Sequence, residues 1–405
     1  MEPGESSGVG LMQILRVLTM VLAAAALAGC SLLLDPQLDG IEGTVDIGYL
    51  YVGPVGDHGW TKTHDDGRIA LEMNLGDAVR TRYAPSVSAA DAPEVIEEFI
   101  ARGDDVIIGT SFDFLVPIQA AAANHPDRKF LICSGFQTSP NLGSYFGRME
   151  QVMFQAGVLA GRMTRSDRIG VVGPVVIAET VRLTNAFAEG ARSVNPDARV
   201  LIRWTYAWFD PEEETAATDE LVASGADVIL GQTDTPVPVM HSATLEALDG
   251  GPVYSIGYDN PDTCDFAPGR CLASAYWHWG PMVTEIISSM RDGSWEPSEP
   301  IYEQMQPDPQ DSVVYLSPLD PAGPVPTAVR LEVEQLVATL TADTPEARYW
   351  PFRGPVRDTT GAVRIASGAL PTDRDLLRMC WHVEGVYEVD GTTPAQVPNV
   401  CQGDH

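Results

Sequence analysis

From residue 45 onward, short runs that are apolar throughout alternate with longer stretches whose apolar residues recur at helical spacing. The run over 45–52 (Val45, Ile47, Tyr49, Tyr51, Val52) predicts a strand, and 61–75 predicts a helix. DVIIGT at 105–110 and FLICSG at 130–135 predict two more strands, with helices over 91–102, 116–124 and 150–163. The pattern then repeats. Strands are expected at 169–173, 200–206, 227–231 and 253–258, with helices over 179–194, 211–223 and 236–248 between them. Strands without polar alternation are buried on both faces, and helical spacers between them argue for parallel sheets. The expected fold class is therefore α/β, with two doubly wound parallel-sheet lobes. Lobe 1 spans 45–163 and is completed by roughly 275–310; lobe 2 spans 164–274 and is completed by roughly 311–390. A Pro-rich stretch follows residue 295, then a helix over 327–341, a hairpin over 352–368 around Thr359-Thr360-Gly361, and a tail over 391–405.

In open parallel sheets, ligands lie beyond the carboxyl ends of the strands. The chain concentrates aromatic and ionisable residues at such ends: Asp57 and Trp60 after the first strand, Phe112 and Asp113 after DVIIG, Trp208 after VLIRW, Asp234 after DVILG, and Asp259 after VYSIG. Two lobes that both present such ends imply one cleft between them. Trp60, between Gly59 and a helix start, is placed for that cleft. Some of these residues have a second reading. Asp57 and Asp234 each precede a helix and are suited to cap it. Trp208 is equally suited to close the core of the second lobe. Trp277, in the Trp277-His278-Trp279 cluster, sits where the chain crosses back to the first lobe and either lines the cleft or packs the hinge. His64-Asp65-Asp66 reads as a solvated helix face, because neighbouring residues diverge and no second histidine stands four residues on.

The first 30 residues change the address of the protein. The segment 11–30 has one basic residue, Arg16, an apolar run, and small residues before a cysteine, which marks 1–29 as a signal peptide and 30–44 as a tether. Leu27-Ala28-Gly29-Cys30 resembles the bacterial lipobox, so Cys30 is expected to carry lipid and to anchor the folded part outside the cytoplasm, in the cell envelope. An oxidising compartment permits disulfides. Cys264 and Cys271 bracket a turn, Cys380 and Cys401 are placed to tie down the tail, and Cys133 lies in an apolar run as a buried thiol. Acidic residues outnumber basic ones 56 to 25, a net charge of −31 that repels nucleic acid. The chain has no G-x-S-x-G, Walker A, H-E-x-x-H or C-x-x-C motif, and its seven histidines form no acid–base arrangement. Binding without catalysis, metal or cofactor is the expectation.

A series of blocks, in order, carries a family resemblance: VGPVGDHGWTKTHDDGR (52–68), DVIIGTSFDF (105–114), YFGRMEQVMFQAGVLAGRMT (145–164), WTYAWFDPEEE (204–214), GADVILGQTDTP (225–236), YSIGYDN (254–260) and FRGPVRDTTGAVR (352–364). They resemble the basic membrane protein family of substrate-binding lipoproteins, across about 45–390. The resemblance implies a type I periplasmic-binding-protein fold with a hinge, and a monomeric receptor that closes on a purine nucleoside or nucleobase. It also implies permease and ATPase subunits of an ATP-driven (ABC) importer as partners. Within that frame Trp60 and Phe112 would stack on the base, Asp57 would accept from a ribose hydroxyl or base N–H, Asn185 would offer its amide to a purine edge, and Asp259 would hold the sugar. Asp113 stands where relatives often carry glycine. A sensor of the same fold, or a receptor for another flat heteroaromatic such as riboflavin, are the alternatives.

Overall fold

The computed structural model describes residues 40–393 and 395, and the chain from Ile41 onward forms one compact unit. The signal peptide, Cys30, most of the tether and Cys401 lie outside the described residues. The first half alternates β1 (Val45–Leu50), α1 (Trp60–Leu75), β2 (Val79–Ala84), α2 (Ala92–Arg102), β3 (Val106–Gly109), α3 (Leu115–Asn124), β4 (Lys129–Cys133) and β5 (Leu142–Gly147). After α4 (Met149–Met163) come β6 (Arg168–Gly173), α5 (Ala178–Val194), β7 (Arg199–Trp204), α6 (Pro211–Ala223), β8 (Val228–Gly231), α7 (Val237–Ser242), β9 (Tyr254–Asp259) and β10 (Cys271–Trp277). The remainder supplies α8 (Trp279–Asp292), β11 (Ile301–Glu303), β12 (Val314–Leu316), α9 (Thr327–Leu340), the hairpin β13 (Val356–Arg357) and β14 (Val363–Ile365), and β15 (Val386–Glu388).

The first sheet has the order β11-β5-β4-β3-β1-β2, parallel throughout. The second has the order β12-β10-β9-β8-β6-β7-β15, parallel except for β12 against β10. Both therefore share one plan, in which the order turns round between the first and third strands of each half. That reversal opens a crevice at the strand ends, and it explains why the site is built there.

The chain passes between the sheets after β5, after β10 and between β11 and β12. The crossing strands are tied together: the Arg148 N–H donates to the Glu303 carbonyl at 2.8 Å, and His278 N–H to the Val313 carbonyl at 2.8 Å. Buried Glu150 stands 3.7 Å from both Arg148 and Arg182 and accepts from the Tyr302 hydroxyl at 2.6 Å, while Arg148 also donates to Asp373 at 2.5 Å. Two guanidiniums buried this deeply require such partners.

Three features depart from the sequence pattern. Helix α4, counted with lobe 1 by its place in the chain, packs on α5 and so joins the second sheet. Glycines make the contact: a Cβ on Gly157 would stand 2.0 Å from the Phe187 carbonyl oxygen, and one on Gly190 2.1 Å from that of Phe154. The helix expected over 236–248 stops at Ser242, where the chain turns toward Gly250 at φ +77°. Strand β2 carries no apolar run because it is an edge strand, and Arg80 and Arg82 reach across to Asp46 on β1. Cys264 and Cys271 are bonded as expected, Cys133 is a buried free thiol, and Cys380 is also disulfide-bonded. Among the described residues, no helix is long and apolar enough to cross a membrane.

Candidate ligand-binding site

The strand ends of the two sheets face each other across a slot. Val52, Trp60, Ser111, Phe112 and Ser134 line it from the first sheet. Glu179, Thr180, Trp208, Gln232, Asp234 and Tyr258 line it from the second. The cavity between these residues is narrow, with about 10 Å³ open to the centre of a water molecule. A ring is thicker than a water molecule, so the lobes stand nearly closed here and a flat ligand enters between the aromatic side chains only as they part.

The first wall is set before any ligand arrives. Asp57 accepts from the backbone N–H groups of Gly59, Thr61 and Lys62 at 2.8–3.0 Å, so its carboxylate closes the N-terminus of α1. This fixes Trp60 at the first turn. Its indole Nε1 donates to the Thr110 carbonyl at 2.7 Å, and the rings of Trp277 and Trp279 meet it edge-on, each with centroids 5.6 Å away. His64 stacks on Trp279 at 4.5 Å and is buried, and burial pushes its pKa down to about 3. Tyr51 donates to buried Asp65 at 3.1 Å. The solvated face expected for His64-Asp65-Asp66 is thus confined to Asp66, which pairs with Lys62.

The second wall hangs from α5 and the loops after β7 and β8. Thr180 Oγ1 accepts from the Ile177 N–H at 3.2 Å, which places the first turn of α5, with Glu179, at the slot. Gln232 accepts from Thr184 at 3.0 Å and donates to the Thr180 carbonyl at 3.3 Å. Asp234 N–H donates to the Trp208 carbonyl at 3.0 Å, locking the two loops together. The Trp208 indole N–H points toward Asp113 without a bond of normal geometry.

The slot is acidic and holds no lysine or arginine in its lining. Burial raises Asp234 and Asp259 well above the ordinary carboxylate range, and the charges of Asp57 and Glu179 raise them further; Glu179 is raised by burial, against a lowering by Ser134. Asp259 accepts from Trp277 Nε1 at 3.1 Å, while its Oδ2 has no partner. Unneutralised buried carboxylates favour their protonated form. Their contribution to stability is present below the ordinary carboxyl pKa and is lost as pH rises through the raised values. Glu189 and Glu303, elsewhere, are pushed up to about 7 by burial and add to the trend between 4.5 and about 7. Asp249 and Asp358, held down at about 2 by their hydrogen bonds, oppose it only in strong acid, whereas His64 and His382, lowered by burial to about 3 and about 4, oppose it as pH falls below 6.5. The raised carboxyls Asp234, Asp259, Glu179, Glu189 and Glu303 outnumber the two histidines, so the ligand-free protein is expected to melt higher at about pH 5.5 than at about pH 8. Scanning calorimetry checks this, and a lower melting temperature at the acidic pH would contradict the cluster's assignment.

The lobes touch across the slot. The Ser134 hydroxyl donates to Glu179, Asn260 Nδ2 donates to the His58 carbonyl at 3.1 Å, and a Cβ on Gly59 would stand 2.1 Å from the Asp234 carbonyl oxygen. His58, Ser134, Tyr206 and Asp259 all have φ between +58° and +67°, a conformation that disfavours side chains and that collects at functional sites.

Of the residues expected from sequence, Trp60, Phe112, Trp208 and Asp234 come together at the slot. The others are placed differently. Asp57 is the cap of α1. Asp113 stands beside Trp208, outside the lining. Asn185 is buried under the C-terminal segment, donating to the Trp381 carbonyl at 2.7 Å and accepting from the Val383 N–H at 3.1 Å, so it does not face the cleft. Trp277 stacks on Trp279 at 4.6 Å within the core. Asp259 is fully buried, bonded to Trp277 and outside the lining. Sequence reasoning missed Ser134, Glu179, Thr180 and Gln232 as lining; the last follows a strand end and the middle two open a helix after one, so the strand-end rule applied evenly reaches them.

Comparison with known proteins agrees with this geometry. Residues 44–308 match the family described as ABC transporter substrate-binding protein PnrA-like. A purine-binding protein of Brucella abortus is 31% identical over 346 residues, covering 85% of this chain and 93% of that protein. A putative ABC transporter glucose-binding protein of Haloferax volcanii is 37% identical over 254 residues, 62% of this chain and 63% of its own length. Among solved structures, a solute-binding protein of an ABC transporter system from Aeropyrum pernix superposes with a TM-score of 0.59 at 18% identity, over 76% of this chain and 89% of that one. One from Conexibacter woesei gives 0.57 at 18% identity, over 73% and 96%. At that identity they bear on the fold alone, which is that of periplasmic binding proteins. Members of the matched family bind solutes and do not transform them. Two parallel sheets with one reversed strand order, closed on a slot of strand-end residues, and a family match over most of the folded chain lead to one conclusion: the chain belongs to the Bmp family of PnrA-like ABC transporter substrate-binding proteins.

Proposed function

We propose that this protein captures a purine nucleoside or nucleobase outside the cytoplasm, anchored to a membrane through lipidated Cys30, and delivers it as a monomer to the permease and ATPase of an importer. The observation that carries the reading is the slot between the two sheets, lined by Trp60, Phe112 and Trp208 together with the carboxylates Glu179 and Asp234. A heteroaromatic base that enters as the lobes part can stack on these rings, a contact worth about 1–3 kcal/mol. The acidic lining selects for ligands that donate hydrogen bonds, such as exocyclic amines and sugar hydroxyls, and it selects against phosphates. The preferred ligand is thus a nucleoside and not a nucleotide. Asp234 lines the slot and holds the sugar, while Asp259 is fully buried outside the lining.

Calorimetric titration with adenosine, adenine, AMP and glucose tests this. Adenosine is expected to bind, AMP to fail, and Asp234→Ala to weaken adenosine by about tenfold or more while changing adenine little. Asp259→Ala is expected to discriminate less. Equal losses for nucleoside and base would remove the sugar contact from Asp234. The Haloferax relative's name favours a second reading, a sugar receptor, since stacked rings and carboxylates also hold pyranoses. Binding of glucose without adenosine or adenine would establish that reading instead.

A further inference from the structure

A second hollow opens at the other end of α5. Its first turn, with Glu179 and Thr180, faces the slot; its last turns, with Glu189 and Arg192, face the hollow. About 380 Å³ there admits water centres, against about 10 Å³ in the slot. The opposite wall comes from Trp350, Arg353, Arg357 and Glu384, all beyond residue 308, where the family match ends. The hollow is thus built between α4 and α5 on one side and the C-terminal segment on the other.

Three arginines line it, in a chain where acids outnumber bases 56 to 25. None of the three forms an ion pair among the described residues, although Glu189 and Glu384 line the same hollow and the charge of Arg192 acts on Glu189. Each is held instead by a backbone carbonyl: Arg192 by Ala198 at 3.4 Å, Arg353 by Trp350 at 3.2 Å and Arg357 by Gly361 at 3.0 Å. A carbonyl orients a guanidinium without neutralising it and leaves most of its five donors open. Arg353 also lies flat over the Trp350 ring. Burial lowers the pKa of Arg353, with no acid opposing that effect.

We propose that this hollow binds a small oxyanion, a carboxylate or phosphate group, through Arg192, Arg353 and Arg357, with Trp350 as an apolar wall beside it. Bidentate geometry favours such groups at arginine. Two carboxylates line the same space. Glu189 is faced by Arg192 on its own helix, Glu384 from the C-terminal segment, Phe154 from α4, and Arg353 and Arg357 across the hollow. Burial, opposed by Arg192 and helped by Glu384, pushes Glu189 up to about 7, so it loses its opposing charge as pH falls through that value. Anion binding is therefore expected to strengthen from about pH 8 to about pH 6.

The test uses the unlipidated chain from Ser31 onward, which contains the compact unit beginning at Ile41. Sulfate, whose charge is constant in this range, inorganic phosphate and citrate are titrated calorimetrically at both pH values. Vesicles of phosphatidylglycerol and of phosphatidylcholine are tested by co-sedimentation. Binding of a free anion, stronger at the lower pH, kept by Trp208→Ala and weakened about tenfold or more by Arg353→Ala with Arg357→Ala, is the expected result. Binding only to phosphatidylglycerol vesicles, lost in the same double variant, also supports the oxyanion site and assigns its source to a lipid headgroup. Because Arg353 and Arg357 are exposed, the double variant keeps its melting temperature. Failure of every probe to bind, or unchanged binding by the double variant, overturns the proposal.

Discussion

Gly59→Ala is expected to lower ligand affinity by about 100-fold or more while leaving the melting temperature of the ligand-free protein close to its original value. The added Cβ would stand 2.1 Å from the Asp234 carbonyl oxygen and 2.5 Å from its carbon. Both are backbone atoms of the facing loop, so no rotamer change relieves the clash. The loop of Asp234 is itself fixed, because its N–H is bonded to the Trp208 carbonyl. The lobes must therefore part by about an ångström, and cores packed at crystal density do not absorb that much. Parting them removes the contacts that define the closed slot, so the variant penalises closure and not folding. Titration calorimetry reads the affinity, and small-angle scattering with ligand reads whether the lobes still close. A melting temperature that falls as far as the affinity would place the clash within a lobe and end this account of closure.

Trp60→Ala is expected to cost about 3–5 kcal/mol of stability, and ligand stacking worth about 1–3 kcal/mol besides. Trp60 is only 7% exposed, and three aromatic rings meet it from behind. It is therefore both the outer layer of the core and the inner wall of the slot. Trp60→Phe separates the two roles. It keeps an aromatic face toward the slot but loses the bond to Thr110, worth about 1 kcal/mol. Phenylalanine is expected to hold most of the affinity at a moderately lower melting temperature, and alanine to lose both. If alanine retained full affinity, Trp60 would be a packing residue with no part in binding.

The sequence alone determined the α/β class, because buried parallel strands must be apolar on both faces and helices must cover them. It pointed to the crevice beyond strand ends, a general property of such sheets, and of the residues it placed there Trp60, Phe112, Trp208 and Asp234 line one cavity. It also placed the Cys264–Cys271 bond, because the turn between the two cysteines brings them together. The tertiary structure decided what local pattern does not encode. Edge strand β2 is polar because one side has no neighbour to pack, so only its pairing with β1 reveals it. Helix α4 joined the second lobe because its glycines meet the backbone of α5, a partner that lies later in the chain. Asp57, Asn185 and Trp277 carry side chains suited to a ligand, yet a helix N-terminus, the C-terminal segment and Trp279 claim them. A side chain's chemistry is legible from its identity; which of several partners satisfies it depends on residues far away in sequence, and folding makes that choice.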